Sequence, residues 1–336
     1  MADNLHGGTD ALGVPAHDFS TNRNACGPCP AAEAALQAAH AAQYPDPLYT
    51  DLRAQLAEFH GVAVERLLIG GSSSELIHRL TQHALRSGAR AISLPAHHSG
   101  DDAQAAAVWG LERRGRGDAD LHWWCEPSSP LGQLEVEGFP PLPQGEGWGE
   151  GGFPWHVLDC AYRPLWLEGE APLRNMDALW QLWTPNKALG MTGVRAAYAI
   201  APLQVAQAEL QALRALAPSW VVGAHGVAML QAWVTAEVQQ WLAQSLDQLR
   251  AWKAQQLALC ARLGWQVLPG HQANYFVARL PLAEAAMAQR LTALRVQGIK
   301  LRDCASFGLP CHVRLGVLPP LSQVALQAAL EAAWNA

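Results

Sequence analysis

Residues 182–200 read LWTPNKALGMTGVRAAYAI. An apolar run, Leu182 to Thr184, gives way to Pro185, Asn186 and Lys187; Gly190, Gly193 and Arg195 follow before a second apolar run, Ala196 to Ile200. The pattern predicts two short buried strands joined by a turn. Lys187 therefore stands just past the end of a strand, where a lysine can be held in a pocket. With its pKa lowered, such an amine forms a Schiff base with an aldehyde cofactor, and pyridoxal 5'-phosphate is the obvious candidate. The chain has few other lysines: only Lys253, inside a long helical stretch, and Lys300, at a strand start.

Outward from this segment, apolar runs at Ala91 to Leu94, Leu121 to Cys125 and Trp155 to Leu158 read as further buried strands. Between and around them, residues 31–42, 49–59, 74–86 and 202–216 have helical periodicity. Alternation of this kind argues for an α/β sheet. Residues 221–263 read as one long helical stretch, after which strands at Gln266 to Leu268 and Asn274 to Arg279 precede another helix and strand, marking a smaller second domain. The segment GFPPLPQGEGWGEGG, 138–152, has no apolar period and reads as an exposed loop.

At 336 residues, with half of them hydrophobic and 15% charged, the chain can bury a large core and is no disordered protein. A net charge of -6 without a basic block argues against nucleic acid or an anionic membrane and for a small ligand. No apolar run reaches the roughly 18 residues that span a bilayer, and the opening MADNLHGGTD lacks signal-peptide character, which places the protein in the cytoplasm. Seven scattered cysteines make no disulfide framework and are expected to be reduced. The site needs no metal.

The remaining parts that pyridoxal phosphate requires are present. A pyridinium nitrogen needs a carboxylate, and Asp159 ends the strand PWHVLD, where a strand's carboxyl end opens into the crevice. Tyr162 follows three residues later, within reach of the cofactor's ring hydroxyl. A phosphate needs donors at a helix start, and GGSSSELIHRL, 70–80, offers Ser73 and Ser74 there. Thr184 and Arg195, flanking Lys187, are natural phosphate ligands.

On these residues the chain resembles the fold-type I pyridoxal-phosphate enzymes of the class I/II aminotransferase superfamily, nearly end to end. TPNKALGMTGVR is similar to their lysine segment. The resemblance implies a mixed, mostly parallel sheet with helices on both faces, in a large domain over 25–240. A small α+β domain would be built from 1–24 and 241–336. QYPDPLYTDLRAQLAEFHGV, 43–62, resembles the Tyr-Pro-Asp-Pro segment of the branch that holds histidinol-phosphate aminotransferases and threonine-phosphate decarboxylases. It implies a homodimer with shared active sites, in which Tyr44 reaches the cofactor phosphate of the neighbouring subunit. LHGG with HDFSTNRNACGPCP, and IKLRDCASFGLPCHVRLGV near the other end, resemble the decarboxylases. The same overlay makes Cys26-Gly-Pro-Cys29 part of the N-terminal segment rather than a thioredoxin-like redox pair.

Two positions depart from the family. Ser129, in CEPSSPLGQ, stands where an asparagine bonds the cofactor ring oxygen, and His97, in LPAHHSG, stands where Phe or Tyr stacks on the ring. Arg302 and Arg314, with His6, Gly7 and Gly8 as a lid, would bind substrate. Threonine phosphate carries both a phosphate and a carboxylate for two arginines to meet in bidentate fashion. The expected activity is therefore decarboxylation of threonine phosphate to aminopropanol phosphate in cobalamin synthesis. A histidinol-phosphate-type aminotransferase is the alternative, and a non-catalytic relative of the fold the second alternative.

Overall fold

The structure is a computed structural model, and it describes residues 7–135, 139 and 155–334. Along the chain the strands are β1 (His17–Asp18), β2 (Leu67–Gly70), β3 (Ala91–Ser93), β4 (Glu112–Arg113), β5 (Leu121–Cys125), β6 (Trp155–Asp159), β7 (Trp180–Trp183), β8 (Ala197–Ile200), β9 (Gln266–Val267), β10 (Tyr275–Arg279), β11 (Ile299–Lys300), β12 (Arg302–Asp303) and β13 (His312–Gly316). The helices are α1 (Pro30–Gln37), α2 (Thr50–His60), α3 (Ser73–Arg86), α4 (Gly100–Trp109), α5 (Gln207–Ala215), α6 (Ala224–Trp233), α7 (Ala236–Arg262), α8 (Glu284–Val296) and α9 (Pro320–Trp334).

Seven strands form one sheet in the order β2-β8-β7-β6-β5-β3-β4. Every pairing from β7 through β4 is parallel, and β8 alone runs antiparallel to both its neighbours. Its strands read as unbroken apolar runs because helices cover both faces. Along β2, Leu68 packs with Ala197, Ala199 and the α3 residues Leu76 and Leu80, while Leu67 and Ile69 pack on the other face with Tyr198 and Ile200. The period of two divides each strand between two cores. Among the described residues no helix is long and apolar enough to cross a membrane.

Several elements escaped the sequence pattern, β2 and α4 among them. β2 is an edge strand between a short helical turn and glycines, too brief to show a period. α4 is rich in alanine and opens on Gly100, Asp101 and Asp102, so it shows almost no amphipathic stripe. The stretch at 221–263 is two helices. Thr235 ends α6 and caps α7, its hydroxyl accepting from the Val238 N–H at 3.4 Å. α5 begins only at Gln207, with Pro202 in the connection before it. Of the 138–152 segment only Phe139 lies within the described residues, stacked on Trp124 at 4.8 Å.

α7, 27 residues and so about 40 Å long, leads to the antiparallel sheet β12-β13-β10-β9. β1 pairs in parallel with β11, tying the start of the chain to this region. Lys253 on α7 is 1% exposed. It pairs with Glu168 at 2.6 Å and donates to the His271 carbonyl at 2.9 Å. It is thus a structural lysine that holds two connecting loops on the helix.

Candidate active site

The register across β5, β6 and β7 aligns Cys125, Asp159 and Leu182. The carboxyl ends of these parallel strands therefore open into one crevice, the place where doubly wound sheets bind ligands. A cavity of about 450 Å³ lies there. Lys187, Asp159, Tyr162, Ser73, Ser74, Thr184, Arg195, Ser129, Arg302 and Arg314 all line it. Residues spread over more than 240 positions of sequence meet in one place.

Lys187 sits in a tight turn after β7. Leu189 N–H donates to the Pro185 carbonyl at 2.9 Å, and Met191 N–H to the Asn186 carbonyl at 2.7 Å. Gly190 closes the turn at φ +71°, a left-handed conformation suited to glycine. The turn is braced by the N-terminal segment: Asn24 N–H donates to the Lys187 carbonyl at 2.8 Å and Cys29 N–H to the Leu189 carbonyl at 2.9 Å. A Cβ on Gly27 would stand 2.6 Å from the Leu189 carbonyl oxygen. This is the task of the Cys-Gly-Pro-Cys stretch. Cys29 is buried at the start of α1, and burial pushes the Cys26 thiol up to about 11, the opposite of a redox-active thiol. All seven cysteines are free.

The Asp159 carboxylate is half-buried and accepts the Ala161 N–H at 2.8 Å. Burial raises its pKa, and the Lys187 charge opposes that rise. The Lys187 ammonium lies 4.9 Å from the centre of the Tyr162 ring. At the other end of the cavity, Ser72 caps α3 by accepting from Glu75 N–H at 3.1 Å, which leaves Ser73 and Ser74 in the first turn. The Ser73 hydroxyl is buried and has no hydrogen-bond partner. Such a group, at a helix start beside Thr184 and Arg195, is a donor awaiting an anion. Ser74 donates to the Asp101 carboxylate.

The structure corrects several placements. His97 does not line the cavity. Its Nδ1 is 2.7 Å from the Phe307 carbonyl, and the imidazole in the cavity wall is His98, because the chain turns at Ser99 to start α4. Ser129 does line it, and its hydroxyl accepts from Arg314 Nη1 at 3.4 Å. Gly7 and Gly8 lie against Ser20 outside the cavity, and His6 lies outside the described residues. Tyr44 is 76% exposed and stacks on Trp220 at 4.3 Å, away from this chain's own cavity. Asp101, Arg113, Asn186 and Phe307 also line the site and were not foreseen. Asn186 and Phe307 lie inside segments already quoted, close to residues singled out there, whereas Asp101 and Arg113 are brought to the crevice only by the return of α4 and β4.

Cross-strand pairing places Arg302 directly opposite Arg314 on β12 and β13. Both are buried, and both stand over the Phe307 ring, at 4.6 and 5.8 Å. Burial and the facing Arg314 charge pull the Arg302 pKa down. Arg314 Nε is buried without a partner.

This sheet, with a lysine just past one strand end, an aspartate at another and a serine-lined helix start on one cavity, is that of a fold-type I pyridoxal-phosphate transferase. The chain belongs to the aminotransferase class I and II family, whose profile matches residues 161–332. It is 28% identical to a histidinol-phosphate aminotransferase of Symbiobacterium thermophilum, covering 94% of this chain and 91% of that protein. It is 27% identical to that of Hyphomonas neptunium, over 93% and 88% of the two chains. Among solved structures it resembles histidinol-phosphate aminotransferase from Sinorhizobium meliloti in complex with pyridoxal-5'-phosphate, with TM-score 0.73, 20% identity, and 92% and 88% of the chains covered. It also resembles L-threonine-O-3-phosphate decarboxylase from Porphyromonas gingivalis, with TM-score 0.70, 19% identity, and 91% and 95% covered. The cofactor is pyridoxal 5'-phosphate, and the unpartnered Ser73 hydroxyl fits its phosphate.

Proposed function

We propose that this enzyme transfers the amino group of a small phosphorylated amine, histidinol phosphate being the first candidate. The observation that carries this reading is the cross-strand pairing of Arg302 with Arg314 at the cavity. Directly opposed side chains on adjacent antiparallel strands have Cβ atoms about 5 Å apart, so they bracket one anion together rather than one each. A single phosphate with three acceptor oxygens matches that pair. This reverses the expectation that two arginines imply a two-anion substrate, and it agrees with the relatives named above over nine-tenths of the chain.

When bound, the cofactor supplies an electron sink for the substrate Cα. The chain's own residues do the rest. Asp159, on the same cavity as Lys187, would keep a proton on the ring nitrogen; Ser73, Ser74, Thr184 and Arg195 would anchor the phosphate of the cofactor. Arg302 and Arg314 would fix the substrate so that its Cα–H bond faces Lys187, whose amine would take and hold the Cα proton. We propose the homodimer in which Tyr44 serves the partner's phosphate site as part of the same reading.

Decarboxylation of threonine phosphate is the second reading. Arg113, lining the same cavity from β4 with its guanidinium donating to the Pro95 carbonyl at 3.3 Å, favours it as a cation for a further carboxylate. The sequence resemblance at both chain ends favours it too. One experiment separates them: purified holoenzyme is given histidinol phosphate with 2-oxoglutarate, and separately threonine phosphate. Glutamate formation from the first without carbon dioxide from the second is the expected result; the converse establishes the decarboxylase. Neither product would overturn both.

A further inference from the structure

Arg314 is held from behind by the start of the chain. Its Nη2 donates to the Ser20 carbonyl at 3.0 Å. Ser20 is fixed in turn, its N–H and hydroxyl both donating to Asp18 and its hydroxyl oxygen accepting from Gly8 N–H at 2.8 Å. The arm lies so close that a Cβ on Gly7 would stand 2.2 Å from the Ser20 carbonyl oxygen. That is the same oxygen Arg314 uses.

The arm is fastened one turn of chain further on. Asp10 accepts two bonds from Arg295, at 2.8 and 2.7 Å, in a bidentate pair. Lys300 stands 3.0 Å from the other side of the same carboxylate and donates to the Gly8 carbonyl at 2.6 Å. Arg295 also donates to the Gly13 carbonyl at 2.7 Å. The side chains of Arg295 and Lys300 are only 12% and 17% exposed. A half-buried bidentate network of this kind holds geometry that an isolated surface pair does not.

We propose that Asp10 is a positioning residue for Arg314: by clamping the arm to Arg295 and Lys300 it fixes the Ser20 carbonyl, which aims the guanidinium into the cavity. Gly7 and Gly8 do not line that cavity, so the arm works through Ser20 and not by touching substrate. The inference rests on the reading that Arg314 meets the substrate anion.

Asp10→Asn tests it in the holoenzyme. Titration with histidinol phosphate and with threonine phosphate, followed by the absorbance of the bound cofactor, is expected to show binding weakened roughly three- to tenfold, below the hundredfold that a 1 Å misplacement can cost. KM rises in step, kcat and cofactor affinity stay put, and hydrogen exchange over residues 7–20 accelerates. Asp10→Glu restores most of the loss, and Arg295→Gln reproduces the effect from the other side. Faster exchange with unchanged substrate binding overturns the proposal, as does unchanged exchange. A melting-temperature cycle of Asp10→Asn, Arg314→Gln and the double variant needs no substrate: a combined loss smaller than the sum supports the link, and strict additivity overturns it. Should neither phosphate compound perturb the cofactor of the unmodified enzyme, the substrate reading fails while that cycle still judges the clamp.

Discussion

Arg302 and Arg314 are direct partners across β12 and β13, buried together on one wall of the cavity. Like charges set opposite each other on adjacent strands repel. The protein tolerates this where an anion is to sit between them. Arg314→Gln is therefore expected to leave the substrate-free holoenzyme as stable as before, or slightly more so. It removes a charge-assisted contact of about 2 kcal/mol, so KM for the phosphate substrate rises on the order of thirtyfold. A melting temperature that falls steeply together with an unchanged KM would refute the anion role.

Lys187 is expected to carry the cofactor covalently. Borohydride reduction and peptide mapping should place the pyridoxyl adduct there, since Lys253 is buried against Glu168 and Lys300 is bound to Asp10 and Gly8. Lys187→Ala should lose the Schiff-base absorbance and about a thousandfold or more of kcat. An adduct on either other lysine would contradict the assignment.

Asp159→Asn and Ser129→Ala should fail differently. The first removes the charge that keeps the ring nitrogen protonated and lowers kcat by orders of magnitude. Ser129 touches Arg314 at 3.4 Å, so its loss should act on KM with kcat little changed. Equal effects on kcat at both positions would mean that the ring lies elsewhere in the cavity.

Mixed dimers test the role of Tyr44. Tyr44→Ala subunits with Lys187→Ala subunits give heterodimers in which one site carries both lesions and the other neither. Random mixing should then restore about a quarter of wild-type activity if each Tyr44 serves its partner's site. No recovery, with each variant inactive alone, would place Tyr44 outside the partner's site.

Stability should fall with acid. His122 and His156 face each other on β5 and β6 with ring centres 4.9 Å apart. Burial pushes His156 down to about 4, and burial also brings His60 down to about 4. A histidine held neutral in the fold binds its proton only when unfolded, between its folded value and about 6.5, so stability is full above about 6.5 and drains as pH falls toward 4. The melting temperature should be flat above pH 7 and drop below 6. His156→Phe should flatten that drop.

The lysine turn, Asp159 at a strand end and the serine-opened helix α3 were all legible in the chain itself, because each is a local pattern: an apolar run that stops, a glycine turn, a cap before a helical period. So was the α/β alternation, while the mostly parallel order of the sheet came from the family resemblance. β2, α4 and the break between α6 and α7 left no such mark, since two or three turns of alanine and four buried residues carry no period to read.

What the tertiary structure alone decided is which side chains face which. That His98 and not His97 lines the cavity depends on where the chain turns into α4. Lys253, which the sequence places only inside a long helical stretch, is buried and pairs with Glu168 some eighty residues away. Arg302 and Arg314 were both named from the sequence, but their facing each other, on which the proposed single-anion site rests, follows from the strand register, which no spacing of 302 and 314 along the chain reveals. Local order follows from the preferences of neighbouring residues, whereas strand register and side-chain facing follow from burial summed over the whole fold.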